Sequence, residues 1–264
     1  MNNPPNDLLW KNITSLPYFR GLLRAVEGRY YQSMDLPGPV LDLGCGDGHF
    51  ASVTFSGTLD AGLDPWVQPI REAQGRGKYK LHVLAQGSQI PFPEQYFQTV
   101  ISNSVLEHIQ DIQPVLNDVA RVTRMGGSFI FCVPNHQFDG SLSIGSALEK
   151  FGWKTLAGKY RNWFEKIARH KNLDSPEVWI MRLEKAGFEV IQWWHYFSPQ
   201  AQSVMEWGHF MGLPSLIIRK LTGKWILAPT WWNLGWTYRI LEKYYHQTQE
   251  CENGVCTFYV ARRV

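Results

Sequence analysis

Residues 42–48, Asp42-Leu43-Gly44-Cys45-Gly46-Asp47-Gly48, join a short apolar run to three glycines spaced at every second position. Glycine carries no Cβ and adopts positive φ freely, so this stretch turns sharply and lets a bulky ligand lie against bare backbone. The spacing separates the ligands that such a loop takes. A phosphate-cradling loop needs Gly-Lys-Ser or Gly-Lys-Thr, and neither follows. A dinucleotide site needs G-x-G-x-x-G with a helix N-terminus facing a pyrophosphate. Here the third glycine arrives one residue early, and Asp42, just ahead of the loop, repels a pyrophosphate and suits a cationic ligand. Three readings stay open at this point: a cationic cofactor, a dinucleotide, and a tight turn that binds nothing.

The run from Asp42 to Gly48 resembles the first motif of the class I S-adenosylmethionine-dependent methyltransferases. In that family the loop lies beneath the methionine part and ribose of the cofactor. The resemblance therefore implies that Asp42, Gly44, Cys45, Gly46 and Gly48 belong to a cofactor site. Asp64 ends the next apolar run about twenty residues after the first glycine, where a carboxylate in a doubly wound sheet accepts from ribose hydroxyls. Pro65 and Trp66 follow it, and the indole can pack on an adenine face. Gln86-Gly87-Ser88, ahead of Ile90-Pro91-Phe92, resembles the family's third segment, except that Gln86 stands where an acid commonly accepts from the adenine amino group. Its amide oxygen can accept but brings no charge.

Asn103 and Ser104 close another apolar run, and Leu106-Glu107-His108-Ile109 just beyond them is a further likeness. Polar groups at the C-terminal end of a strand overhang the ligand crevice of an open α/β sheet. His108 is thus a candidate base, with a helix cap or surface histidine as the alternative, and His136, just past Pro134-Asn135, is a second candidate. His195, in Trp193-Trp194-His195-Tyr196, reads as a packed histidine. The segment Arg121 to Ser128 is expected to end a helix at its glycines before the strand Phe129 to Val133. The likeness covers roughly residues 38–136 and returns weakly near Phe188. No cluster of His, Cys, Asp or Glu shows the spacing of a metal site.

These residues need a scaffold, and the hydrophobic periodicity supplies one. Apolar strands near 39–43, 59–64, 80–84, 98–102 and 128–133 alternate with helices near 48–55, 66–74 and 111–124. Ile112, Val115, Leu116, Val119 and Val122 form the core stripe of the last helix. A helix from Ser175 to Gly187, opened by Pro176, leads into a strand from Phe188 to Trp194, and Gly254 to Val260 reads as the last strand. The expected fold is α/β: a Rossmann-like doubly wound sheet, mostly parallel with an antiparallel closing strand. Residues 1–37 are expected to form an N-terminal helical segment, and residues 38–264 a methyltransferase domain with cap insertions at 135–174 and 198–250. Segments this long in a compact domain carry function or helices of their own.

Composition bounds the remaining choices. The 264 residues suffice for one substantial core, and the net charge of +3 is spread along the chain, which disfavours a nucleic-acid partner. The four cysteines, Cys45, Cys132, Cys251 and Cys256, form no C-x-x-C pair. Met1 to Asp7 lack the basic and apolar regions of a signal peptide, so a cytoplasmic location is expected. The second insertion holds Trp207, Trp225, Trp231, Trp232 and Trp236, which fit an aromatic cap over the acceptor, plain packing, a dimer contact or peripheral membrane contact through 207–238. Arg219, Lys220 and Lys224 interrupt that region and leave no run long enough to span a bilayer.

The expected activity is in-line transfer of the methyl group of S-adenosylmethionine to a small-molecule or lipid-like acceptor. Two alternatives stand beside it: a cofactor-binding protein without transfer activity, and an NAD-dependent oxidoreductase.

Overall fold

The computed structural model describes residues 5–248 and 251–264. Residues 1–4 of the N-terminal reading and residues 249–250 of the second insertion lie outside the described residues. Among the described residues the strands are β1 (Val40–Leu43), β2 (Leu59–Asp64), β3 (Tyr79–Leu84), β4 (Phe97–Asn103), β5 (Thr123–Pro134), β6 (Phe188–Tyr196) and β7 (Cys256–Arg263). They form one sheet in the order β3-β2-β1-β4-β5-β7-β6. Strands β3, β2, β1, β4 and β5 pair in parallel. Strand β7 runs antiparallel to both β5 and β6, so the antiparallel strand lies inside the sheet and β6 takes the edge.

The helices in the same numbering are α1 (Leu8–Ile13), α2 (Tyr18–Gln32), α3 (His49–Thr54), α4 (Val67–Arg76), α5 (Gln113–Val122), α6 (Ser143–Lys150), α7 (Lys154–Ala168), α8 (Pro176–Ala186), α9 (Pro199–Met211), α10 (Leu213–Thr222) and α11 (Trp231–Tyr245). Both expected insertions carry helices of their own, α6 and α7 in the first and α9, α10 and α11 in the second.

Alternation of side chains across the pleat divides the core into two layers. Val40, Ile101, Ile130, Cys132 and Phe258 face one way and pack with Leu9 of α1, Leu22 of α2, Ala51 of α3, Ile70 of α4 and Leu241 of α11. Leu41, Val100, Phe129, Phe131 and Tyr259 face the other way, onto Leu116 of α5 and Trp179 of α8. The stripe expected on α5 is buried as a set. Residues 8–32, expected as a helical segment ahead of the domain, pack into the same core as the sheet.

The junction of α5 and β5 differs most from the sequence reading. Helix α5 ends at Val122, not at the glycines, because Thr123 is already extended (φ −84°, ψ 133°) and pairs with Phe97 of β4. The Thr123 hydroxyl donates to the Val119 carbonyl at 2.6 Å and closes the last turn. Gly127 instead serves an irregularity in the β4–β5 ladder, since a Cβ there would stand 2.8 Å from the Gln98 carbonyl oxygen. The sheet order reverses between β1 and β4, and a crevice opens at the C-terminal ends of those strands, where open α/β sheets hold their ligands.

Candidate functional site

The glycine loop leaves β1 and turns directly into α3. Gly44, Gly46 and Gly48 all have positive φ, at 77°, 55° and 71°. The three differ in what their missing side chains permit. A Cβ on Gly44 would come within 2.5 Å of Val105, and one on Gly48 would press the Ala73 backbone and the Tyr79 ring at 3.2 and 3.3 Å. A Cβ on Gly46 would meet nothing within 4 Å. Gly48 is therefore a packing glycine between α3 and α4, while Gly46 leaves an open surface over the loop.

The loop amides do not point at a ligand as the glycine pattern suggested. Those of Gly44 and Cys45 both donate to the Leu63 carbonyl, at 2.7 and 2.9 Å, and that of Gly46 donates to Asp64 Oδ2 at 3.0 Å. The amides clamp β1 to β2, and the loop offers a side-chain-free surface in their place.

Asp64 is the hinge of this arrangement. Its Oδ1 accepts from the Trp66 amide at 3.0 Å while Oδ2 holds Gly46, and burial raises its pKa while these two amides lower it. The carboxyl group lines a cavity of about 1480 Å³ together with Gly44, Pro65, Trp66, Gln86, Gly87 and Ser88. Trp66 is 69% exposed, so its ring stands free at the rim. Ser104 also lines the cavity, with φ of 51° in the left-handed region, and its hydroxyl donates to Glu27 Oε1 at 2.9 Å. Strain held in place by a buried partner is characteristic of functional sites.

Five residues expected at the cofactor site line no part of the cavity: Gly46 and Gly48 of the loop, and three that lie buried behind it, Asp42, Cys45 and Asn103. Asp42 is 3% exposed, lines no part of the cavity, and accepts from the Tyr79 hydroxyl at 2.6 Å. Burial, opposed by that hydrogen bond, brings its pKa up to about 6. Cys45 is buried away from the cavity. Asn103 is turned inward, donating to Glu27 Oε2 at 2.8 Å and to Cys132 Sγ at 3.0 Å. All three sit at or just past strand ends as the pattern required, but their side chains fall on the core side of the crevice.

Of the two candidate bases only His108 reaches the cavity. Its Nδ1 lies 3.2 Å from the Arg169 carbonyl oxygen, and its ring stacks on His170 at 5.7 Å. Burial lowers its pKa, partly offset by the Arg169 carbonyl. His136 is exposed outside the cavity, 6.2 Å from the His195 ring. His195 Nδ1 lies 2.8 Å from Thr257 Oγ1, a packed histidine as expected.

Several cavity residues escaped the sequence reading. Glu107 is 2% exposed, its Oε2 has no hydrogen-bond partner among the described residues, and burial pushes its pKa up to about 8. Its place inside the Leu106-Glu107-His108 run was visible in the sequence, but its burial was not. Arg20 and Arg24 reach the cavity from one face of α2. Arg24 donates to the Asn103 carbonyl at 3.0 Å and stands 3.7 Å from Glu27. Glu27 also accepts from Tyr196, so one buried carboxylate ties α2 to β4 and β6. Nothing local in the sequence marked these residues, since a charge on a helix face reads as solvated until the fold buries it.

The cap comes mainly from the first insertion. Asn162 and residues 164–171 wall the cavity together with Phe138, and among the described residues the second insertion adds only Met205 and His209. The five tryptophans of the second insertion line no part of it. Trp231 packs on Trp10 at 5.4 Å, and Trp225 lies under Arg20 and Arg219 at 5.9 and 4.4 Å.

Known proteins share this chain's sequence in part and its fold nearly throughout. Over 109 residues the chain is 34% identical to a ubiquinone biosynthesis O-methyltransferase of Klebsiella pneumoniae, a match spanning 36% of this chain and 42% of that one. The chain thus spans about two-fifths of the length of that curated relative. Its fold resembles that of an S-adenosylmethionine-dependent methyltransferase of Thermotoga maritima, with a TM-score of 0.55 and 15% identity over 93% of this chain and 92% of the other. It also resembles a phosphoethanolamine N-methyltransferase of Haemonchus contortus solved with S-adenosyl-L-methionine, with a TM-score of 0.56 and 16% identity over 94% of this chain and 53% of that one. A family model described as a methyltransferase domain matches residues 17–193, from the cavity-lining face of α2 through the middle of β6, and the chain belongs to that family.

Proposed function

We propose that this chain transfers the methyl group of S-adenosylmethionine to a small-molecule or lipid-like acceptor. The observation that carries the reading is the pairing of a side-chain-free glycine loop with the Asp64 carboxyl group on one cavity, large enough for a cofactor and an acceptor together. When bound, S-adenosylmethionine supplies a methyl group already activated by its sulfonium. The residues present fit it. Gly44 brings bare backbone to the cavity wall for the methionine part, with the open surface of Gly46 next to it in the loop, Asp64 retains lone pairs for ribose hydroxyls, and Trp66 with Gln86 to Ser88 flanks the place for adenine. The loop amides that a pyrophosphate would need already bond to β2, which disfavours the NAD reading.

The protein's contribution is then to orient the acceptor and exclude water. Phe138, Phe164 and Met205 give the acceptor end apolar walls, while Arg20 and Arg24 give it charge. His108, its pKa lowered by burial and its ring held at the Arg169 carbonyl, serves as base for an oxygen acceptor. Glu107, protonated at neutral pH, donates a hydrogen bond from the floor. The Klebsiella relative is named an O-methyltransferase of ubiquinone biosynthesis, and an oxygen on a lipid-like molecule is the acceptor we carry over. We place the enzyme in the cytoplasm, at or near a membrane surface.

Isothermal titration with S-adenosylmethionine, S-adenosylhomocysteine and NAD tests the reading. Binding of the first two alone is expected. Binding of NAD alone would overturn it, and cofactor binding without turnover of any quinone-like, lipid or small phenolic acceptor would favour a non-catalytic protein.

A further inference from the structure

The two helices that follow α9 turn apolar side chains outward. On α10, Leu216, Ile217 and Leu221 are 52%, 63% and 79% exposed and share a face with Lys220. On α11 the inner face buries Leu234, Tyr238, Leu241 and Tyr245, and the opposite face carries Trp232, Trp236 and Ile240 at 89%, 73% and 44% exposure. A surface helix ordinarily shows polar residues there, and an exposed apolar stripe of this extent marks an interaction surface.

Charge identifies the occupant. From Leu213 to Lys243 the chain has the basic residues Arg219, Lys220, Lys224, Arg239 and Lys243 and the single acid Glu242. A second copy docked face to face would set like charges against like, which penalises a two-fold dimer. A bilayer with anionic headgroups complements both features: acyl chains for the indoles and leucines, phosphates for the amines. Among the described residues no helix is long and apolar enough to cross a membrane, so the contact would lie in the interface plane. The surface also adjoins the cavity, because Trp225, in the loop after α10, contacts both Arg219 of α10 and the cavity-lining Arg20.

We infer that α10 and α11 form a docking face for an anionic lipid bilayer, placed so that the mouth of the methyl-transfer cavity opens beside the membrane. This deepens the proposed function by naming where a lipid-like acceptor would come from, and vesicle binding can be read without any turnover.

The experiment is co-sedimentation of the purified chain with vesicles of phosphatidylcholine alone and of phosphatidylcholine with phosphatidylglycerol. The chain is expected to pellet with the mixed vesicles and much less with the neutral ones. Trp232→Ser with Trp236→Ser should lower the partition coefficient at least tenfold, because each indole offers about 150–250 Å² to bury. Lys220→Glu with Lys224→Glu should abolish the preference for phosphatidylglycerol. Both pairs are exposed and lie outside the cavity, so an unchanged melting temperature and unchanged S-adenosylhomocysteine affinity control for the fold. Protein that stays in the supernatant, or pelleting that neither pair alters, overturns the inference. A concentration-dependent dimer that the tryptophan pair dissociates would overturn it too and assign the face to a second copy.

Discussion

The phenol of Tyr79 donates to Asp42 Oδ2 across 2.6 Å beneath the glycine loop, and its ring fills the space left by two glycines, Gly62 and Gly48. This contact fixes the floor of the site without touching the cavity. Asp42 is buried and its pKa rises to about 6, above the unfolded value of about 3.9, so the folded state binds the extra proton and stability falls as pH rises between those values. Tyr79→Phe removes the hydroxyl that favours the ionised form. It should cost about 1–3 kcal/mol at pH 7 and distinctly less at pH 5, where Asp42 is mostly protonated. Urea denaturation at the two pH values measures the difference; no loss at either would show that the ring alone matters, and equal losses at both would show that the hydroxyl does not act through the ionised carboxylate.

Asp64 combines two tasks that substitution separates. Both carboxyl oxygens hold backbone amides, and the same group lines the cavity. Asp64→Ala should therefore weaken S-adenosylmethionine binding at least tenfold, about 1.4 kcal/mol, and also loosen the loop. Asp64→Asn keeps one acceptor oxygen and should lose affinity with a smaller fall in melting temperature. Calorimetric titration paired with thermal melting of both variants checks this, and an unaltered affinity in the alanine variant would remove Asp64 from the cofactor site.

The order of strands, the glycine loop and the acid at the end of β2 were legible because each is written in local sequence: apolar runs, positive-φ residues, and a carboxylate at a fixed separation. Which way a side chain near a strand end points is not local. Asp42, Asn103 and Asp64 all lie at or next to the ends of strands, yet Tyr79 and Glu27 draw the first two inward while Asp64 faces the cavity. The first insertion walls the cavity through residues near its end, while the second gives it only Met205 and His209 among the described residues and packs its tryptophans elsewhere. Aromatic composition reports that a surface will be buried or bound, and only the fold decides against what.

The two candidate histidines give a direct contrast. His108 lines the cavity and His136 stands outside it. His108→Ala should lower kcat at least a hundredfold if the imidazole takes the acceptor proton, a typical contribution for general base catalysis of about 10²–10⁴. His136→Ala should leave kcat within about twofold, the ordinary outcome for an exposed residue away from the chemistry. Steady-state kinetics on the two variants decides it, and a reversed ranking would move the reacting centre out of the cavity.

Gly44 tests whether the loop needs its backbone or only its small size. Alanine there meets two obstacles: φ of 77°, and Val105 at 2.5 Å from the new Cβ. The left-handed conformation costs a non-glycine residue about 1–2 kcal/mol, and the clash adds to it. Gly44→Ala should lower stability by about 2–4 kcal/mol on these two counts together. Adding Val105→Ala removes the two methyl groups nearest the new Cβ, leaving Val105 Cβ at 3.0 Å, and leaves the dihedral unchanged, so it should restore only part of the loss. Full restoration in the double variant, read by urea denaturation, would mean that space alone selects glycine here.

Glu107 links the pH behaviour of the fold to that of the reaction. Its carboxyl group is 2% exposed, its Oε2 has no partner among the described residues, and its pKa rises to about 8. An unfolded glutamate ionises near 4.3, so between that value and about 8 the folded chain holds a proton that the unfolded chain has released, and stability falls as pH rises through the window. A tenfold difference in proton affinity between the two states corresponds to about 1.4 kcal/mol, so the slope should be evident in denaturation curves taken at pH 5, 6.5 and 8. Glu107→Gln keeps the shape and a hydrogen-bond donor but cannot ionise, and it should flatten that slope. The same variant reads the chemistry. If the protonated carboxyl group donates to the acceptor, wild-type kcat should decline above about pH 8 as the proton is lost, while the glutamine variant keeps its activity at pH 7 and shows no such alkaline limb. A glutamine variant that is inactive at pH 7 but folded would assign Glu107 a role that needs its charge, as a base rather than a donor.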